Sequence, residues 1–438
     1  MKIRTRVFLL LWSTLWTLGL PFVLLYLLRR GRKDALYKAH LAERFGRYRA
    51  VAPGSVWVHA VSLGELRSAV PLIHELIARG ERVVVTLFTP AGRREVERVF
   101  ATQIAAGQVA AVWVPFETAW AYRGFFRAFR PTYGLVMEIE IWPRMVFAAK
   151  KAGVPLFMCN AQYPSKSILR DSRGLRLRQQ VMRGFAGAFV KSQLQADRFA
   201  AIGVSNIAIT GELRFEQPVP AALRDAGPRV RAWLGLTSRR VVAFASTVEG
   251  EDAVYLAAIA QLRATSAVPP FVVYIPRQPE RFDEVAQTLA ASGLTVMRRS
   301  QALPKPFDAA SAPCTASPDV LLGDSLGEMY GYLAMADIVV VGGGFTPKGA
   351  HNIIEPLALR KPVVTGPEIW TIEYPFVEAE AAGVARRVVD ATALAAALAD
   401  PVGPSAAQID TFFADHSGGV ARFFAQLPTL LARAKSAL

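Results

Sequence analysis

From residue 55 onward the chain alternates short apolar runs with longer segments whose apolar residues recur at helical spacing. The runs lie at 56–61, 82–88, 110–115, 132–139, 154–159 and 187–191, then at 240–245, 271–275, 294–297, 319–322, 337–341, 361–364 and 383–389. Apolar strands separated by helices predict parallel strands with crossover helices, hence doubly wound α/β sheets. The rhythm lapses over 212–238, a charged passage containing Phe215-Glu216-Gln217-Pro218-Val219-Pro220, and then resumes. Two Rossmann-like domains are therefore expected, at 51–215 and 239–404, with 216–238 as the linker and closing helices over 405–438. A chain of 438 residues is long enough to give each a core. Nothing in the closing helices themselves fixes which domain they pack on.

What precedes residue 55 bears on where such domains work. Residues 7–28 carry no charge and are long enough to cross the ~30 Å hydrocarbon core of a bilayer. Lys2, Arg4 and Arg6 come before this run, and Arg29, Arg30, Arg32, Lys33 and Lys38 after it. The run exceeds a signal-peptide core and no small-residue cleavage site follows, so 1–50 is expected to be an uncleaved anchor with a basic flank. More positive charge follows the span than precedes it, which predicts the bulk of the chain in the cytoplasm. Gly19 and Pro21 leave open a helix lying in the interface instead. The stretch Arg29 to Arg49, with Leu36, Tyr37, Leu41 and Phe45 among its charges, reads as a helix resting on anionic headgroups or as a solvated linker. A net charge of +16 asks for an anionic partner. With an anchor and no recognisable nucleic-acid module, anionic lipid or a phosphorylated substrate is expected, not nucleic acid. Cys159 and Cys314 stand far apart, which argues against a disulfide framework and a cysteine zinc site.

Ligands of open α/β sheets bind at the carboxyl ends of strands, and acidic residues stand at several such places. Glu65 follows the apolar run Val56 to Val61 where a helix begins; it reads equally as a catalytic carboxylate or as an acid favoured by the helix dipole. Glu138 and Glu140 end another run, and if strand geometry persists they face the same side and perturb one another. In the second domain Gly342-Gly343-Gly344 follows a strand and Lys348 precedes a helix expected to begin near His351. Glycines and amide dipoles together can hold a phosphate, with Glu355 near a ribose diol. Gly323-Asp324-Ser325-Leu326-Gly327-Glu328 is a similar turn in which Asp324 and Ser325 serve equally as helix caps. Arg277 ends a further strand, within reach of a phosphate or a base, and His59 belongs to an apolar run and is expected to be buried. The chain has no Walker loop, no Ser-His-Asp order and no Asp-x-Asp metal motif.

Taken together, HAVSLGE (59–65), EIEIWP (138–143), Asn160-Ala161, TGELRF (210–215), AST (245–247), PRQPERF (276–282), GDSLGE (323–328) and HNIIEP (351–356) resemble the bacterial Kdo transferases. These enzymes move 3-deoxy-D-manno-octulosonic acid (Kdo) from CMP-Kdo to a lipid A precursor, and the likeness spans nearly the whole length. It implies the GT-B architecture, two Rossmann-like domains facing across a cleft, with an N-terminal anchor at the bacterial inner membrane. It implies Glu65 as general base, Glu138 as transition-state stabiliser, and a CMP site at Pro276, Arg277, Leu326, Gly327, Glu328, Asn352, Ile353, Ile354 and Glu355. Arg214 stands where the family has lysine and keeps the charge, although a planar guanidinium differs from a compact ammonium. Gln278 replaces a histidine, Gly344 a serine and Ala350 a glycine, while the run after Asn160-Ala161 also departs from the family. An inverting transfer without metal or other cofactor is the implied reaction, and lipid IVA the implied acceptor. A GT-B transferase with a uridine-linked donor, or a non-catalytic tethered relative, are the competing readings.

Overall fold

The computed structural model describes residues 3–49, 53–173, 176–400 and 403–437, without the side chains of residues 3–5 and 437. Lys2, the side chain of Arg4 and the expected boundary between residues 50 and 51 lie outside what it describes. The chain forms two compact units, Met1–Gln217 with Ser417–Leu438, and Pro218–His416.

In the first unit seven strands make one sheet: β1 (Val56–Ala60), β2 (Val83–Leu87), β3 (Val109–Trp113), β4 (Tyr133–Met137), β5 (Leu156–Ala161), β6 (Gly187–Val190) and β7 (Ile207–Ile209). Their order is β3-β2-β1-β4-β5-β6-β7, with every pairing parallel. The chain reverses its direction of winding between β1 and β4, which makes their carboxyl ends the switch point where α/β sheets take ligands. Strands β1, β2 and β4 are wholly buried, which is why they read as unbroken apolar runs rather than alternating ones. β7 has only three residues and no apolar run long enough to announce it.

The second unit repeats the plan with β8 (Val241–Thr247), β9 (Phe271–Pro276), β10 (Val296–Arg298), β11 (Val320–Leu322), β12 (Ile338–Val341), β13 (Val363–Thr365) and β14 (Ala385–Arg387). The order is β10-β11-β9-β8-β12-β13-β14, again parallel throughout, with its switch point between β8 and β12.

The passage 216–238 is mostly not a linker. Ala221–Trp233 is a helix packed on Met329–Met335, so close that a Cβ on Gly227 would lie 2.4 Å from the Cβ of Ala334. Arg231 holds it with a forked contact to Asp337 at 2.6 and 3.0 Å. Its apolar face is small, Ala226 and Val230, and Pro228 and the charges around it obscured the helical period. The closing helices divide between the units. Ala406–His416 stays on the second, buried at Ile409 and Phe412, whereas Gly419–Ala437 packs on the first through Val420, Phe423 and Leu430. Glu216 fixes that return by accepting the Val420 N–H at 2.8 Å, and Phe423 meets Phe189 with ring centroids 4.4 Å apart.

The helix Ile3–Arg30 is long and apolar enough from Arg6 to Arg30 to cross a membrane, and is compatible with a membrane anchor. One side packs on the first unit through Leu9, Leu20 and Leu27, with Trp12 Nε1 donating to Glu117 at 2.9 Å. Leu10, Leu11, Leu15, Leu18 and Phe22 are exposed. The segment after it is not one continuous helix. It forms two short turns, Ala35–Tyr37 and Leu41–Arg44, strapped to the domain by Arg44, which is 1% exposed with its guanidinium 4.5 Å from the Trp113 ring. A Cβ on Gly46 would come within 2.3 Å of the Ala121 carbonyl oxygen, so glycine permits this close approach.

Candidate active site

Glu65 occupies the third position of the helix Leu63–Ala78, whose N-cap is Ser62. The Ser62 hydroxyl accepts the Glu65 N–H at 3.2 Å and donates to Glu65 Oε1 at 3.0 Å, while the Val61 N–H donates to Oε2 at 2.6 Å. The carboxylate is thus tied to the turn that opens the helix, with the Ser62 hydroxyl as the cap. These hydrogen bonds alone would hold its pKa down. Burial, followed by the charges of Glu140 and Glu138, instead pushes it up to about 7. A carboxyl group that titrates near neutrality beside a switch point is suited to accepting a proton from a hydroxyl.

Glu138 comes after β4, which ends at Met137, and has a left-handed backbone with φ of 55°. Strand alternation therefore stops before it, and the same-side argument for Glu138 and Glu140 does not hold. Burial raises the Glu140 carboxyl, which accepts from Trp142 Nε1 at 2.9 Å. Glu138 turns to Arg214, whose Nη2 lies 2.8 Å from its Oε1, and Arg214 Nε donates to Ser68 at 2.8 Å. Beneath them stands a buried pair that sequence reasoning missed. Lys191 follows β6 and lies 2.6 Å from Glu212, each side chain 2% exposed. Asn160, also left-handed with φ of 54°, donates to Glu212 at 2.6 Å and accepts the Leu213 N–H at 3.0 Å. Burial would raise the Glu212 carboxyl, but Lys191, Arg214 and these donors together hold it below the usual carboxylate range. The Glu212 carboxylate also accepts the Arg214 N–H at 3.2 Å, so this charged base fixes the turn that carries Arg214. Lys191 had the same signal as Glu65, a polar residue where an apolar run hands over to a helix. His59 is buried as expected, with its pKa lowered to about 3 by burial.

In the second unit Arg277 follows β9 and its Nη1 stands 2.8 Å from Nε2 of His351. Burial, with the Arg277 charge, lowers His351 to about 4 and leaves the imidazole neutral. The helix expected near His351 begins at Ile354 and has five residues, Ile354–Ala358, with Asn352 Oδ1 accepting the Ile354 N–H at 3.0 Å. The side chains of Ile353 and Ile354 are buried, so a ligand there would meet their backbone. Leu326 is 70% exposed on a turn where Gly327 has φ of 81°, and Pro276 closes β9. The Glu328 carboxylate is engaged by buried Arg299 at 2.5 and 2.7 Å and by the Ser325 hydroxyl. Neither Asp324 nor Ser325 caps the helix, which starts at Met329; Asp324 instead binds Arg298 at 2.7 Å and the Ser300 N–H at 2.8 Å.

The three glycines are not a phosphate cradle. The wholly buried Glu251 accepts the N–H groups of Gly343 at 2.8 Å, Phe345 at 3.0 Å and Val248 at 3.2 Å. A Cβ on Gly342 would lie 2.5 Å from the Ser246 carbonyl oxygen, so that glycine serves backbone packing between turns. Replacing Glu251 by alanine leaves buried donors unpaired and is expected to cost at least about 1–3 kcal/mol, read as a lower urea midpoint with unchanged m-value.

Two tandem parallel-sheet α/β units, with polar groups gathered at the carboxyl ends of their strands, have the GT-B-like architecture. Anabaena HepE in complex with UDP-glucose has this fold, with a TM-score of 0.57, 14% identity, and coverage of 88% of this chain and 100% of that one. Residues 39–217 match the family model of 3-deoxy-D-manno-octulosonic-acid transferase (kdotransferase). The 3-deoxy-D-manno-octulosonic acid transferase of Bordetella pertussis is 38% identical, over 85% of this chain and 86% of its own length. The Haemophilus influenzae enzyme of that name is 28% identical over 79% of each chain. The chain belongs to the Kdo transferase family, and its activity is Kdo transfer.

Proposed function

We propose that this Kdo transferase takes Kdo from CMP-Kdo and delivers it to a tetraacylated, bisphosphorylated lipid A precursor, lipid IVA, with inversion and without a metal or other cofactor. The observation that carries the reading is the Glu65 carboxyl, buried yet titrating near 7 at the switch point of the first sheet.

In this reading Glu65 takes the proton of the acceptor hydroxyl as that oxygen bonds to the anomeric carbon of Kdo. The bond from that carbon to the phosphate oxygen breaks, and its electrons leave with CMP. A single displacement of this kind inverts the anomeric centre. Kdo has its own carboxylate beside the reacting carbon and CMP is a good leaving group, so no strong general acid is required. Glu138 would oppose the positive charge of the oxocarbenium-like centre, and Arg214 the negative charge on the departing phosphate. The Lys191–Glu212 pair beneath them is a positioning base.

CMP would be held by Arg277 with Pro276, by the exposed turn at Leu326 and Gly327, and by Asn352 through Glu355. Glu328 contributes by shaping its turn, since its carboxylate is already engaged by Arg299. The Ile3–Arg30 helix would hold the enzyme on the cytoplasmic face of a bacterial inner membrane, where basic residues attract anionic lipids and no nucleic acid takes part.

Detergent-purified protein incubated with fresh CMP-Kdo and tetraacylated, bisphosphorylated acceptor is expected to add the mass of one or more Kdo units. No gain, with a known Kdo transferase active in the same mixture, would overturn the proposed acceptor and donor.

A further inference from the structure

The loop that carries Glu138 and Glu140 runs from the end of β4 to the helix Pro143–Lys151, with no regular structure of its own. Its first end is fixed by the Glu138 N–H, which donates to the Cys159 carbonyl at 2.8 Å where the backbone is left-handed. Such a backbone persists only where its surroundings determine it. The second end lacks a local hold. Trp142 stands at the N-cap of the helix without a side-chain acceptor for its amides, and Pro143 has no N–H to offer. The next two amides, those of Arg144 and Met145, donate instead to Glu117 at 2.8 and 3.0 Å.

Glu117 is 1% exposed and belongs to the segment between β3 and the helix Ala119–Phe129. A carboxylate at the start of a helix complements its dipole. Its third donor comes from the N-terminal helix: Trp12 Nε1, at 2.9 Å, meets the same Oε2 that accepts the Arg144 N–H. A second tie runs alongside, with Arg144 Nη2 donating to the Leu9 carbonyl at 2.8 Å. A tether needs apolar length alone, whereas these ties fix the N-terminal helix to the element that ends the loop. The loop in turn bears on Glu65. Trp142 packs edge-on to His59 of β1, ring centroids 5.9 Å apart, and its Nε1 donates to Glu140 at 2.9 Å. The charges acting on the Glu65 carboxyl are those of Glu140 and Glu138, with Arg214 and Lys191 2.8 and 4.0 Å from Glu138. A shift of the helix start would therefore move Trp142, Glu140 and the field on Glu65.

We infer that Glu117 is a positioning residue for Kdo transfer, joining Trp12 of the N-terminal helix to the start of the helix Pro143–Lys151 and so setting the loop that carries Glu138 and Glu140. The N-terminal helix is then part of the framework of the active site and not a tether alone. This rests on the roles proposed for Glu65 and Glu138.

The test compares the full chain with Glu117→Gln, Trp12→Phe and Trp16→Phe in detergent, where attachment to a bilayer plays no part. Glu117→Gln keeps the shape but cannot accept from all three donors. Trp12→Phe keeps an aromatic ring and removes the indole N–H. Trp16, one turn further along the helix, meets the Phe116 ring at a centroid separation of 6.3 Å and is the control. Because a displacement of ~1 Å can cost about 10²-fold in rate, kcat is expected to fall by about that factor in Glu117→Gln and by at least ~3-fold in Trp12→Phe. KM for CMP-Kdo, whose proposed site lies on the second unit, should not change, and Trp16→Phe should turn over as the native enzyme does. The acidic limb of kcat/KM against pH, placed at about 7 by Glu65, should move to lower pH in Glu117→Gln as the Glu140 charge recedes. A smaller folded fraction would lower the whole profile without moving that limb. Amide hydrogen exchange over residues 138–146, measured without substrate, should be faster in Glu117→Gln and Trp12→Phe.

Native exchange and an unmoved limb in Glu117→Gln would overturn the inference, whatever the loss of activity. Native kcat and exchange in Trp12→Phe would remove the N-terminal helix from it, as would an equal loss in Trp16→Phe. Because exchange is read without substrate, failure of transfer to the chosen acceptor would count against the proposed function and not against this tie.

Discussion

Glu65→Gln is expected to lower kcat by about 10²- to 10⁴-fold while leaving CMP binding intact, because a neutral amide cannot take a proton from the acceptor hydroxyl. The native enzyme should lose activity as pH falls through about 7, the value at which the Glu65 carboxyl takes up its proton. Stability should change in the opposite sense. A carboxyl whose pKa is raised by folding contributes stability below its unfolded pKa and loses it as pH rises through the folded value. Ionised Glu65 therefore destabilises the native fold at pH 8, and the glutamine variant should melt at a higher temperature there. Turnover assays and thermal melts across pH 5–9 together separate lost chemistry from lost folding. A glutamine variant that turns over normally would remove Glu65 from the mechanism.

Lys191→Ala is expected to cost about 3–5 kcal/mol, because it leaves Glu212 buried and without its nearest counter-charge. The sign with pH is fixed by Glu212. Its carboxyl is held below the usual range in the native protein, so its contribution is present above the unfolded pKa and fades as pH falls through the folded one. Without Lys191 burial dominates and the carboxyl rises, which should move acid unfolding to higher pH. Lys191→Met combined with Glu212→Leu should recover much of the stability, since well-packed apolar residues can replace a buried pair. It should not recover activity, because the Glu212 carboxylate that accepts the Arg214 N–H at 3.2 Å would be gone. Urea unfolding alongside single-turnover rates tests both halves; an alanine variant of native stability would show that the pair contributes little.

The parallel sheets were legible because most of their strands are buried, and a strand buried on both faces has to be apolar on both. β7 was not, being three residues at the edge of its sheet between Asn206 and Thr210. The helix Ala221–Trp233 escaped for a related reason: it buries alanine and glycine against Met329–Met335, and small residues leave little hydrophobic signal. Glycine runs misled in the other direction. Gly342 to Gly344 looked like a phosphate loop, but Glu251, some ninety residues earlier, occupies the amide groups of Gly343 and Phe345.

The sequence by itself determined the two α/β domains, the apolar N-terminal helix, and the position of Glu65 at a strand-to-helix junction, since each depends on residues adjacent along the chain. Only the tertiary structure decided which charges meet. Glu138 turns away from the strand line to Arg214, Lys191 lies against Glu212, and the last helix packs on the first unit after the chain has completed the second. The physical reason is distance. Propensity and periodicity act over a few residues, whereas the electrostatics that raise Glu65 and lower Glu212 come from groups brought together by winding the sheet.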